Sequence, residues 1–600
     1  MILGAIAQMS EDSYIREGDN ALNYPTTHGN FYFHWVSEGY EGIRHLLDEE
    51  TKRVIDNGLE ALADKQGTFR GMNTTNQWFF TVAAVDSVAR MTNESRHHDL
   101  FKNHINALYT NDIYKKRLGQ ATSGYFVEGY GCDGQYHNLC QLLLYVTYRN
   151  YRDWQGADKV TVKQLDEIVG KNVEFNSLFW MPQPTTEKYP STNCFTSRTE
   201  TGNAITTHTN YEIVTDLFPL AKRRLETSNM PASGLGAAGT FSCLVTNDEW
   251  AMRVINKYYP LYQNHTKNYN SHGSIALYNA FKNQYTAQST PLPCEQESGI
   301  WDKNGIIAVK HKGIYFNVFY TFEDETELPA MSFMGGGMTN VWSKGTGTVV
   351  ASRKPVNYSS GVTQESQIQS SCIYGTDSSG KFFASGKEMA TLKWIEKDKI
   401  FEISGTLPDR NITVVFRYQL TDKGVRVTAK ASGDVSDDLW VNIPLVLHEP
   451  SATVTYEKGK ISENYFNNSV VFSTENETAL FENGSMRNFR VKLQNGAAVI
   501  DITQNSSAKV IIEDMYVTGN EVSVFFKSQT GKTEPVTVIV ASYKSDGTLV
   551  DVAFNDYDAD FYESSFAFET VDNKEAAYVK VFIWKSLDSM VPYVSEKYEL

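Results

Sequence analysis

The sequence predicts a multidomain chain of α then β type: an N-terminal (α/α) incomplete toroid, an antiparallel β-sandwich, and a small C-terminal β module. Three observations predict it. The hydrophobic period is helical from Trp35 to about Phe281, it changes to alternation after Pro291–Ser298, and 600 residues exceed what one hydrophobic core serves. The expected domains are residues 1–290, the catalytic toroid; 291–530, the sandwich; and 531–600, the accessory module.

In the first part, Gly42–Asp64 repeats apolar residues at three and four with charges between them, the pattern of an amphipathic helix. Trp78–Met91, Asn138–Trp154, Val162–Phe179, Tyr211–Leu225 and Glu249–Tyr262 repeat it, with Asn, Gly and Pro punctuating the turns. Successive helices with short connections predict stacked helical hairpins. In the second part, Gly305–Lys310, Ile314–Tyr320, Ile412–Tyr418, Val425–Ala431 and Ala508–Glu513 are β-rich runs, and Met334–Met338 holds a glycine triplet. The third part sets Val536–Lys544 and Thr548–Phe554 around the turn Asp546-Gly547, and ends with Tyr578–Trp584 followed by Lys-Ser-Leu-Asp-Ser-Met-Val-Pro. This tail resembles the small β modules attached to secreted polysaccharide-active enzymes of Gram-positive bacteria, which implies a context rather than a chemistry.

A formal charge of −16 argues against non-specific nucleic-acid binding, which needs a basic face to release counterions. It leaves room for an anionic polymer held locally by Arg, Lys and His, and 34 Tyr with 10 Trp suit a sugar-like or planar ligand. The six cysteines are scattered and contain no CxxC pair, so neither a zinc ribbon nor a dense disulfide framework is indicated. No apolar run reaches the length of a membrane span. Met1–Gln8 ends in small residues like the close of a signal peptide, and a secreted, cell-surface or periplasmic bacterial protein is expected, with no reading of its oligomeric state.

Ten of the twelve histidines precede residue 300, so histidine chemistry is expected in the helical part. Gly124–Tyr148 is the richest stretch: Gly129, Gly131 and Gly134 suit a sharply bent loop, Tyr136 and His137 follow, and Gln141, Leu144, Tyr145 and Tyr148 share a helix face after Asn138. Three other polar stretches stand near helix ends: Gly71–Asn76, Ser197–Asn203 and Asn264–His272. Together they offer amides, an imidazole, phenols and a guanidinium to one concavity. That set suits β-elimination from a uronic-acid polysaccharide. Asn and a bidentate Arg neutralise the carboxylate, His or Tyr removes the adjacent proton, and Tyr protonates the leaving oxygen. The reaction requires no cofactor; a structural divalent cation is compatible with it, but no ligand cluster predicts one.

These motifs on this architecture resemble the polysaccharide lyase superfamily of chondroitin AC and hyaluronate lyases, with heparinase II/III-like lyases as cousins. The resemblance implies that Gly71-Met72-Asn73 supplies the carboxylate-neutralising Asn73, Asp133–His137 the catalytic His137, and Tyr145 and Arg198 the remaining roles. Two departures accompany it. The family's fuller sequence after the histidine is absent, and Tyr145 stands eight residues from His137 rather than nine. On one continuous helix the pair would be about 12 Å apart along the axis. His137 is therefore expected in the loop before the helix; otherwise Tyr136 or another tyrosine takes the role. The family's Glu partner for Arg has Asn264 and His265 in its region here. Asn76, Trp78, Asn203, His208, Tyr211 and His265 are the expected substrate contacts, His208 and Tyr211 forming a second candidate pair.

Each residue also has a structural reading. Asn73 opens the sequon Asn73-Thr74-Thr75 and suits a helix cap, His137 a satisfied buried histidine, Tyr145 a core position, and Arg198 a pairing with Glu200. Two other functions compete: a glycoside hydrolase using two of Glu128, Asp133, Glu200 and Glu212, and a carbohydrate-binding protein without chemistry.

Overall fold

The computed structural model describes residues 29–66, 75–110, 118–127, 134–182, 192–193, 214, 216–226, 289–321, 335–352, 362–386, 390–407, 410–446, 452–465, 468–483, 486–506, 509–529, 533–560 and 563–600. Among them the helices come first: α1 Gly29–Ile43, α2 Glu49–Gln66, α3 Thr75–Thr92, α4 Ser95–Thr110, α5 Gly134–Asp153, α6 Lys159–Ser177 and α7 Pro219–Glu226. Antiparallel sheets follow, as the change of period predicts.

Helix α3 is the middle of the helical part. It packs against α1, α2, α4 and α5, and from Thr75 to Ala89 every residue but Gln77 is buried. A helix buried on all sides needs neighbours on all sides. The segment read as one helix over Gly42–Asp64 is broken. A 3-10 turn covers Arg44–Leu46, and a new helix begins after Asp48, whose carboxylate accepts the Thr51 N–H at 2.9 Å. Helix α4 is not among the segments read as helical, because its three histidines and other polar residues hide the inward stripe of His97, Phe101, His104, Ile105 and Leu108. Among the described residues of Tyr211–Leu225 the helical portion is α7, and Glu249–Tyr262 lies outside the described residues.

Two antiparallel sheets form the sandwich. One orders its strands Thr391–Glu396, Ile400–Thr406, Ile412–Leu420, Gly424–Gly433, Ala497–Ser506, Asn468–Ser473, Lys460–Tyr465 and Ala452–Glu457. The other runs Thr478–Asn483, Met486–Lys492, Val435–Val446, Gly347–Ala351, Asn340–Ser343, Ile314–Phe319, Ile306–His311 and Gly299–Lys303, with Cys372–Asp377 also paired to Val435–Val446. Their facing side chains share one apolar cluster, in which Phe316 of one sheet stacks on Tyr418 of the other at 5.3 Å. In the glycine triplet, Gly336 has φ +92° and a Cβ there would stand 2.9 Å from Ile403 Cγ2, so a side chain is excluded where this turn meets the opposite sheet.

The helical part and the sandwich share a core. Leu292, Ile306, Tyr315, Phe319 and Trp342 belong to the helical cluster, and Phe319 stacks on Phe179 at 5.3 Å. The Tyr315 hydroxyl and the Asn317 amide both donate to the Leu178 carbonyl, at 2.7 and 3.1 Å, and Arg223 of α7 holds Glu295 through both carboxylate oxygens. Beyond it, a third cluster joins the three-stranded sheet Val510–Thr518, Glu521–Ser528 and Ser565–Thr570 to the four-stranded sheet Leu549–Ala559, Glu534–Tyr543, Tyr578–Trp584 and Pro592–Glu599. Its apolar side chains begin at Val510. The turn at Asp546-Gly547 forms with Gly547 at φ +85°, and Tyr578–Trp584 is a strand over its whole predicted length.

Candidate active site

The geometry of the site starts at a short loop, residues 118–127, that returns on itself through the bridge between Gln120 and Phe126. Gly124, at φ +112°, makes the turn, and a Cβ there would stand 2.3 Å from the Lys171 carbonyl oxygen of α6. Only glycine fits. The loop is fastened from two sides. Thr75, the first residue of α3, receives the Gly119 N–H at 3.0 Å on its hydroxyl and donates that hydroxyl to the Val127 carbonyl. Gln120 donates from its amide to the carbonyls of Gly124 and Ile168, at 3.1 and 2.8 Å.

Thr75 lies two residues after Asn73, and Val127 lies six residues before Asp133. The hydrogen bond between them therefore joins the first residue of α3 to the end of the Gly124 loop.

Helix α5 resumes at Gly134, so His137 lies inside its first turns and not in a loop before it, as the spacing argument required. The expected separation along the axis stands, but Tyr145 bonds an amide that His137 adjoins. The Tyr145 hydroxyl donates to Asn172 Oδ1 at 2.7 Å, and Asn172 Nδ2 stands 3.5 Å from His137 Nε2. Asn172 Oδ1 also accepts from the Gln141 amide at 3.0 Å and the Asn176 amide at 3.1 Å, while Asn172 Nδ2 donates to the Gly124 carbonyl at 2.9 Å. His137, Gln141, Tyr145, Asn172 and Asn176 are all fully buried.

The tautomer of His137 follows from its partners. Nδ1 accepts the Phe126 N–H at 3.1 Å, so the proton sits on Nε2, which faces Asn176 Oδ1 at 2.9 Å. Burial pushes the imidazole down to about 4, against the smaller upward pull of Asn176. His137 is thus a neutral group with both nitrogens engaged, packed between Phe126 and Phe175 at ring distances of 5.5 and 5.7 Å.

Of the expected substrate contacts, Asn76 is buried in the first turn of α3, and Trp78 lies wholly within the core, its Nε1–H donated to His104 Nδ1 at 3.0 Å. Asn73, Arg198, Asn203, His208, Tyr211 and His265 lie outside the described residues, as does the side chain of Tyr136, whose backbone belongs to α5. Sequence reasoning passed over Asn172 and Asn176, and named Gln141 and Thr75 only as neighbours of other residues, without a role. A signal existed: Leu165, Val169, Asn172 and Asn176 recur at three and four on the buried stripe of α6, so both amides interrupt an apolar face.

A second polar group lies between α1 and α3. Arg90 bonds both Glu41 and Asp86, and Glu38 close by is raised to about 8, first by burial and then by the Glu41 charge. Among the described residues no group of three or more His, Cys, Asp or Glu is placed to hold a metal ion, and no helix is long and apolar enough to cross a membrane.

No protein-family model matches the chain, and no curated protein matches it. Solved structures do. A Streptomyces coelicolor A3 chondroitin AC lyase in complex with chondroitin sulphate is similar at 7% identity and a TM-score of 0.43, over 90% of this chain and 83% of that one. A Paenibacillus xanthan lyase is similar at 11% identity and a TM-score of 0.40, over 97% of this chain and 60% of that one. A chondroitinase AC lyase whose structure was determined with oligosaccharides is similar at 9% identity and a TM-score of 0.38, over 100% of this chain and 90% of that one. At these identities the likeness concerns fold.

Proposed function

We propose that this protein is a polysaccharide lyase that cleaves uronic-acid-containing glycosaminoglycans, hyaluronan or chondroitin first, by β-elimination to unsaturated uronate products. The observation that carries the proposal is the bond from Thr75 to Val127, which ties a residue two positions after Asn73 to the loop nine positions before Tyr136. Elimination needs a carboxylate-neutralising amide and a proton-transfer group on one sugar ring, and these two stretches bear those residue types.

In this reading Asn73 and Arg198 bind the uronate carboxylate and draw charge from the carbon beside it. A base takes the proton from that carbon, its electron pair forms the new double bond, and the bond to the leaving glycosidic oxygen breaks. That oxygen is protonated as it departs. His137 is a poor base, because both its nitrogens are bound and its ring is buried. We assign proton transfer to Tyr136, the neighbouring residue, with Arg198 supplying the cation that a phenolate requires. His137 and Tyr145 then hold the helix that carries it. The substrate polymer implies a secreted or cell-surface protein.

The test is the short-wavelength ultraviolet absorbance of the conjugated product during incubation with hyaluronan and with chondroitin, and with a neutral glucan as control. The polyuronates give a rise and the glucan gives none. Asn73→Ala lowers kcat/KM by about 10²–10³-fold. New reducing ends without absorbance would replace the lyase with a hydrolase using paired carboxylates.

A further inference from the structure

One amide does more in this seam than any residue the sequence singled out. Asn172 Oδ1 takes three donors, from Tyr145, Gln141 and Asn176, which exceeds the two lone pairs of a carbonyl and makes the oxygen a shared acceptor. Its Nδ2 holds the Gly124 carbonyl at 2.9 Å and stands against His137 Nε2. Gly124 is the turn of the loop that ends at Val127, and Tyr145 and His137 belong to the helix that begins at Gly134. Asn172 therefore connects both flanks of residues 128–133 through α6, a helix outside all four motif stretches.

The alternatives are weaker. The Lys310, Lys344 and Lys527 group between the sandwich and the C-terminal module has bonds of its own, Lys310 to the Gly313 carbonyl and Lys344 to the Ser528 carbonyl. The aromatic outer face of the four-stranded C-terminal sheet has its rings covered by lysines, Lys597 over Tyr578 at 4.0 Å and Lys580 over Phe582 at 5.0 Å. Neither shows what it would hold.

We propose that Asn172 is the positioning residue of this site, fixing the Gly124 loop and the His137–Tyr145 face of α5 in one orientation relative to each other. Its effect on turnover rests on the lyase reading; its effect on His137 does not. The side chain meets no substrate. It acts through the direction of its bonds, so an apolar residue of similar size fills the space and loses the function.

Asn172→Asp and Asn172→Leu in the full chain, with histidine ring signals followed by NMR and His137→Gln used to identify the His137 signal, provide the test. A carboxylate beside Nε2–H favours the imidazolium, so in Asn172→Asp the His137 midpoint moves up from its depressed value by a unit or more. In Asn172→Leu it does not rise. An unchanged His137 midpoint in a folded Asn172→Asp protein would overturn the proposal. On hyaluronan, both variants lower kcat about 10- to 100-fold with KM within about twofold of the parent, the pattern of misplaced machinery rather than lost binding. A fall in the folded fraction alone, with kcat per folded molecule unchanged, would also overturn it. Should Asn172→Asp not fold, Tyr145→Phe removes one donor from the same oxygen, and the proposal expects a smaller kcat loss with KM again unmoved; an unchanged kcat would contradict it. Absence of any unsaturated product from the parent protein would remove the lyase reading and leave the NMR arm to judge Asn172.

Discussion

The seam between α5 and α6 and the interior of the sandwich are equally buried and differently built. In the sandwich, Phe316 stacks across the sheets on Tyr418 and Phe401 at 5.3 and 6.5 Å, those two stack on each other within one sheet at 4.9 Å, and the surrounding side chains are mostly aliphatic. In the seam, an imidazole, a phenol and three amides hold one another by directed bonds. Apolar packing tolerates any side chain of the right volume, whereas a buried polar lattice admits one arrangement and is costly when a member is lost. The sandwich supplies stability, and the seam fixes positions.

Four changes break or sharpen that contrast. Phe316→Ala empties part of the sandwich core and costs about 3–5 kcal/mol in denaturant unfolding, while leaving the His137 midpoint where it is. Asn176→Leu costs less, about 1–3 kcal/mol, because it strands the His137 Nε2–H. Unlike Phe316→Ala, it pushes the His137 midpoint further down, since the bond that favours the charged ring is gone.

Acid also separates two buried groups of the helical part. His137 takes a proton at an ordinary 6.5 when unfolded and at about 4 when folded, so its contribution is present above 6.5 and is lost as pH falls toward 4. At most about 3 kcal/mol is at stake, and His137→Gln flattens that part of a stability-against-pH curve. Glu38 runs the other way. Its folded value of about 8 lies above the ordinary 4.5, so its contribution is present below 4.5 and declines as pH rises to 8. Glu38→Gln should raise the Tm at pH 9 by a few degrees and change it little at pH 5. Equal effects at both pH values would mean that the carboxyl is not held protonated.

The order of the fold was legible because periodicity is a local property. Thr75–Thr92, Lys159–Ser177 and Tyr578–Trp584 carry their period in their own residues. Boundaries were less so. Gly134 reads as a loop residue, yet α5 begins there, and with that the expected place of His137 changed. The seam was illegible for another reason. Asn172 is an ordinary polar residue until Gly124, 48 positions earlier, and Tyr145 on another helix arrive beside it, and no local pattern announces partners so distant in sequence.

The division of labour between a seam that positions and a neighbouring stretch that reacts meets its most direct test in one assay: formation of unsaturated uronate from hyaluronan by Tyr136→Phe and by His137→Gln, each with its Tm. Tyr136→Phe is expected to lose at least about 10²-fold in kcat at an unchanged Tm, whereas His137→Gln loses stability and keeps about a tenth or more of its turnover. An active Tyr136→Phe beside a His137→Gln protein of native Tm and no turnover would contradict the account and return the base to the imidazole.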